Sequence, residues 1–146
     1  MADVVCAVRG GPGSYQTRLA ALRQAADRGV AVHFVSVIDP LAYRPLHAGE
    51  QQAIRAEMAW RDLAMAKATA ARADIDGVRF TVAVRVGALV ETIAGYATEM
   101  SAGAILIGNP RAAADAALGS DGAEHFANEL RRLSGVAVVV IPTPGG

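Results

Sequence analysis

An open parallel α/β sheet is the fold this sequence predicts. The observations behind it are five short apolar, β-branched runs, the helix-period segments that separate them, and two glycine-marked turns that directly follow strands. The runs are Val4 to Val8, Val30 to Ile38, Val78 to Val84, Ala104 to Ile107 and Val136 to Ile141. Apolar character on both faces of such short strands calls for helices covering both sides of the sheet.

Val4 to Val8 leads into the turn Arg9-Gly10-Gly11-Pro12-Gly13. The first helix starts at Ser14, whose hydroxyl suits an N-cap, presents Tyr15, Leu19, Leu22 and Ala26 on one face, and ends at Gly29. After the second strand, Asp39 to Pro45 forms a loop before a long helix from about Ala48 to Ala73, with Ile54, Met58 and Met65 at near-helical spacing. Trp60 and Leu63 fall off that stripe and read as a second apolar contact, either with the core or with another subunit. Leu89, Val90, Ile93, Ala94 and Ala97 make the buried face of the third helix, Glu91 complements its N-terminal dipole, and Gly103 stops it. The fourth helix begins near Ser120 or Asp121, where Asp121 and Glu124 match a capping box, and it buries Ala123, Phe126, Ala127 and Leu130 before Gly135. The tail from Pro142 to Gly146 has nothing with which to pack.

With 146 residues and no repeat or linker, the chain reads as one domain spanning 1–146. Fourteen basic residues balance fourteen acidic ones, so no global field exists to attract nucleic acid or an anionic membrane. No apolar run approaches the ~20 residues needed to cross a bilayer. An N-terminus that enters a strand without a basic and apolar leader, together with a single cysteine, points to the cytoplasm. Cys6, inside an apolar strand, reads as a small buried hydrophobe.

Catalytic patterns are sparse. His33 falls in a strand, His47 in a loop and His125 in the first turn of the last helix, a spacing that forms no metal cluster. The chain has no phosphate-binding Gly-x-x-x-x-Gly-Lys-Ser/Thr motif, no Cys-x-x-Cys and no serine on a nucleophile elbow. A magnesium-binding receiver domain needs acidic residues after its first strand, where this chain has Arg9. We therefore expect no enzyme and no metal.

The order and spacing of several segments resemble the universal stress protein family across nearly the whole chain. Val4 to Gly11 resembles its first strand and turn, Val35 to Asp39 the end of its second strand, and Val86-Gly87 with Val90 and Ile93 the entry to its third helix. Ala104 to Gly108 and Val136 to Pro142 resemble its last two strands. The resemblance implies strand order 3-2-1-4-5 in an adenine nucleotide alpha hydrolase-like fold, a stress-response role, and a homodimer formed through Val136 to Ile141. It also implies that Arg9 and Arg111 lie near one another at the switch point, where ligands bind beyond the carboxyl ends of strands.

ATP-binding members carry an Asp after strand 1, and after strand 4 a Gly-x-x-Gly, nine residues, then Gly-Ser or Gly-Thr. Here Arg9 replaces the Asp, Gly108 matches the first glycine, Arg111 replaces the second, and Gly119-Ser120 follows after seven residues. A side chain where backbone amides should approach phosphate, and a loop two residues shorter, argue against ordinary ATP geometry. Arginine's planar fork suits carboxylate or phosphate. The residues expected at the ligand are Arg9, Gly10, Gly11, Val37, Gly108, Arg111, Gly119 and Ser120. Three readings fit these residues: a non-catalytic module taking a small anion, an ATP-binding member holding nucleotide through Gly10, Gly11, Val37, Gly108 and Ser120, and a dimer scaffold with no small ligand. The cofactor is unassigned, ATP being possible but not favoured.

Overall fold

The computed structural model describes residues 2–8, 14–40, 47–108 and 122–142. Its elements are β1 (Val4–Ala7), α1 (Tyr15–Arg28), β2 (Val32–Ile38), α2 (Ala48–Arg72), β3 (Phe80–Val86), α3 (Leu89–Glu99), β4 (Ala104–Gly108), α4 (Gly122–Ser134) and β5 (Ala137–Ile141). All strand pairs are parallel, in the order β3-β2-β1-β4-β5.

Side chains alternate across each strand, which divides the core in two. Val4, Cys6, Val32, Phe34 and Leu106 face α1 and α2. Val5, Val35, Ile105, Ile107 and Val138 face α3 and α4. The expected apolar faces of α3 and α4 bury Ile93, Ala94, Ala97, Ala127 and Leu130, and α3 adds Tyr96.

The structure corrects several boundaries. The second strand begins at Val32 rather than Val30, because the residues before it are spent elsewhere. Gly29, at φ +67°, lets the Val30 amide donate to Ala25 O, and the Ala31 amide donates to Asp3 Oδ1 at 3.0 Å. The third strand is Phe80 to Val86, two residues later than Val78 to Val84. Gly77 turns at φ +78°, and the Arg79 carbonyl already accepts from Val32, fixing the register Val32 to Phe80.

Ser14 occupies the N-cap of α1 but makes no side-chain cap bond, since its backbone is helical (φ −84°, ψ −5°) and not in the extended conformation that aims an N-cap oxygen at the first amides. Along α1 the buried stripe includes Ala25, while Ala26 is exposed. Tyr15 is half-buried under the Arg72 guanidinium, 5.0 Å from its ring centroid. At the end of α3 it is Ser101, at φ +51°, and not Gly103 that takes the left-handed turn. Gly103 is needed for space, because a Cβ there would lie 2.9 Å from that of Ala2. The proposed caps Ser120 and Asp121 lie outside the described residues, as do residues 143–146.

The largest correction concerns α2. Ile54 and Trp60 are exposed, Trp60 by 73%, and the residues turned inward are Asp62, Ala66 and Thr69. This helix therefore docks through small and polar groups, so Trp60 is not part of the core. His47, expected in a loop, is its exposed N-cap residue, and its amide donates to Glu50 Oε1 at 3.3 Å.

Cys6 is fully buried as expected, and loss of water pushes its thiol up to about 12. Native protein should leave a thiol reagent such as iodoacetamide unconsumed at pH 8, with labelling appearing only as urea unfolds the chain. Labelling at a free-thiol rate without denaturant would contradict this packing.

Candidate functional site at the strand switch point

The first two crossovers, through α1 and α2, cover one face of the sheet, and those through α3 and α4 cover the other. The winding reverses between β1 and β4, which pair as Val4 to Ala104, Val5 to Ile105 and Cys6 to Leu106. Neighbouring strands whose chains leave toward opposite faces cannot fill the space beyond their ends, and a crevice opens there. Val8, which follows β1, and Gly108, which ends β4, are the last described residues on this side of the two strands.

Of the expected ligand residues, Val37 and Gly108 are described. Val37 is half-buried near the carboxyl end of β2, packed toward the α3 and α4 face. Gly108 has a specific steric reason to be glycine: a Cβ there would sit 2.8 Å from Thr17 Oγ1. Arg9, Gly10, Gly11, Arg111, Gly119 and Ser120 lie outside the described residues.

Near Val8 is a set of polar side chains that the sequence pattern did not single out. The Ser36 hydroxyl donates to Asp62 Oδ2 at 2.5 Å and lies 3.4 Å from the Val8 carbonyl. The Val8 amide in turn donates to Val35 O at 2.9 Å. Asp62 on α2 thus reaches, through one serine, the backbone of Val8, the residue that precedes Arg9 in the sequence. Nearby, the Arg18 Nε donates to Thr69 Oγ1 at 3.1 Å, and Thr69 donates to Met65 O at 2.8 Å. Burial lowers the Arg18 pKa, with Cys6, Asp62 and Tyr15 acting in the opposite direction. All of Ser36, Asp62, Arg18 and Thr69 are buried. A signal existed for Arg18, which lies on the inward stripe with Ala21, Leu22 and Ala25 at helical spacing.

Thr17 is 1% exposed, and among the described residues its hydroxyl has no hydrogen-bond partner. A buried hydroxyl without a partner carries a desolvation cost that a methyl group of similar size does not. Thr17→Val is therefore expected to raise stability by about 1 kcal/mol, read as a higher urea midpoint at unchanged slope. A fall of similar size would show that the hydroxyl is satisfied in solution.

Among the described residues no group of three or more His, Cys, Asp or Glu side chains is placed to hold a metal ion. No described helix is long and apolar enough to cross a membrane.

Strand order and layering define a doubly wound, open parallel α/β protein whose winding reverses between β1 and β4. The family model for the universal stress protein family matches residues 1–142, and the chain belongs to that family. Similar solved structures include a universal stress protein in complex with cAMP, at 20% identity and TM-score 0.66, covering 97% of this chain and 98% of that one. The Archaeoglobus fulgidus universal stress protein in complex with dAMP is 18% identical with TM-score 0.65, over 97% of this chain and 98% of the other. UspA from Lactobacillus plantarum is 18% identical with TM-score 0.68, over 95% and 97%. No curated protein matches the sequence.

Proposed function

We propose that this chain is a single-domain, cytoplasmic stress-response protein whose β1/β4 crevice binds a ligand carrying one phosphate in preference to ATP, without turning it over. The observation that carries this reading is the junction itself, where two strand ends lie side by side and the sequence follows each with an arginine in place of a family carboxylate or glycine. Two guanidinium groups offer a paired donor set for a single phosphate or a smaller anion, whereas an arginine at position 111 adds bulk where a polyphosphate would pass. The structures containing cAMP and dAMP favour a ligand of this size. The bare Gly108 at the end of β4 favours the second reading, a nucleotide held in the family's ATP manner through Gly10, Gly11, Val37, Gly108 and Ser120.

We further propose a homodimer through Val136 to Ile141. β5 is an edge strand with Ala137 and Val139 exposed, and an unpaired apolar edge is stabilised by a second copy.

Mass spectrometry of small molecules released from freshly purified protein tests the ligand directly. A nucleoside monophosphate or a simple anion, absent from the Arg9→Ala and Arg111→Ala variants, supports the proposal. Released ATP, retained by both variants, supports the second reading, and an intact dimer with nothing released supports a scaffold without a ligand.

A further inference from the structure

A second constellation stands at the opposite end of the sheet, near the amino ends of the strands and away from the crevice. Asp3 precedes β1, His33 lies on β2 and Thr81 on β3; the register Val5 to His33 to Thr81 sets His33 beside Thr81 on the face toward α3, and Asp3 lies two residues before Val5. His33 Nε2 is 2.9 Å from Asp3 Oδ2, and His33 Nδ1 is 2.7 Å from Thr81 Oγ1. A carboxylate only accepts, so the Nε2 proton points to Asp3, and Nδ1 is left as the acceptor for the threonine hydroxyl.

The three groups differ in exposure in a way that suits chemistry at one end of the row. The His33 side chain is 8% exposed and that of Asp3 32%, while Thr81 is exposed. Asp3 is fixed independently of the histidine by accepting the Ala31 amide at 3.0 Å. That backbone bond, followed by the His33 contact, lowers its pKa and holds it as a carboxylate. Thr81 lines an open groove of about 680 Å³ along the edge of β3, together with Ala83, Arg85, Tyr96 and Met100. β3 has no strand on its outer side. Because the Arg79 carbonyl points to β2, alternation turns the Val82 amide outward into this groove. The parts of an acyl-transfer site are thus adjacent: a hydroxyl, a base touching it, a carboxylate orienting the base, and a backbone donor beside the hydroxyl.

We propose that Thr81, with His33 as general base and Asp3 as positioning residue, is a nucleophile for short-chain carboxylic esters that enter the β3 groove. Thr81 Oγ1 bonds to the ester carbonyl carbon as its proton passes to His33 Nδ1, and the carbonyl oxygen takes the negative charge beside the Val82 amide. The tetrahedral species collapses, the ester C–O bond breaks, and the leaving alcohol takes the proton from His33. Water, deprotonated by the same imidazole, then attacks the acyl-Thr81 ester; the bond from the acyl carbon to Thr81 Oγ1 breaks, Oγ1 takes the proton back from His33, and the carboxylic acid leaves.

The test uses p-nitrophenyl acetate with the full chain. Wild type is expected to release p-nitrophenol in an initial burst and to gain one acetyl group, mapped by peptide mass spectrometry to Thr81. Thr81→Val, a surface substitution that circular dichroism should show folded, is expected to lose the burst and to lower the release rate about a hundredfold, the scale of base-assisted nucleophilic catalysis. Thr81→Ser should keep it. Asp3→Asn should slow acetylation of Thr81, and Asp3→Glu should restore part of the rate. Acetyl groups found only on Lys67, the exposed His47 or His125, or the N-terminus, or equal rates in wild type and Thr81→Val, would overturn the proposal.

Discussion

Replacing Asp62 with alanine is expected to destabilise the fold by about 3 kcal/mol, the scale of a buried hydrogen bond to a charged group whose loss also strands its partners. Ser36 would lose its 2.5 Å acceptor, and the buried Arg18 would lose a compensating negative charge. For a chain of this length such a loss lowers the melting temperature by about 10 °C. The effect should reach the proposed ligand site as well, because Ser36 also touches the carbonyl of Val8, the residue before Arg9 in the sequence. Thermal melts of Asp62→Ala beside Glu57→Ala, an exposed position on the same helix, isolate the buried contribution. Equal, small shifts in both would mean that α2 is held by something other than its polar inward face.

Phe34→Ala is expected to cost about 3–5 kcal/mol, as for other fully buried aromatics cut back to a methyl. Phe34 is 1% exposed in the α1 and α2 core, and its ring meets that of Phe80 edge to face, with centroids 6.0 Å apart and planes at 76°. It sits on β2, between the edge strand and β1, so a cavity there loosens the side of the sheet on which α2 docks. Phe80→Ala should cost less, because Phe80 is only half-buried, and the double variant should cost less than the two single losses added together. The difference would be about 1 kcal/mol, the coupling typical of a ring pair. Strict additivity in urea unfolding would show that the rings are not in contact.

The architecture was legible because short apolar strands and glycine punctuation leave few alternatives. Period-two burial is visible in Val4 to Cys6, Val32 to Val35 and Ala104 to Ile107, where consecutive residues serve opposite faces. Gly29 was read correctly because its positive φ closes a helix. Gly103 was misread because a glycine required by the approach of Ala2 looks, in sequence, the same as one required by φ. The face of α2 was misread for a related reason. Helical spacing puts Ile54 on the buried stripe and leaves Trp60 to the core or to another subunit, whereas docking onto Ser36 and Arg18 makes Asp62 and Thr69 the buried residues.

Of the candidate site residues, Val37 and Gly108 fall on the described residues, and contact with Thr17 gives Gly108 a steric reason to be glycine. Nothing in the local pattern joined Asp62 to Val8, or Asp3 to His33 and Thr81, since those contacts cross between elements far apart in the chain. His33 looked like an isolated strand histidine because its two partners are 30 and 48 residues away.

Isothermal titration calorimetry of one preparation with AMP and with magnesium ATP tests the central claim most directly. The account predicts that AMP binds at least about tenfold more tightly, a difference of about 1.4 kcal/mol, and that Arg9→Ala with Arg111→Ala abolishes the difference. Magnesium-dependent ATP binding tighter than that of AMP, unchanged when both arginines are removed, would contradict it.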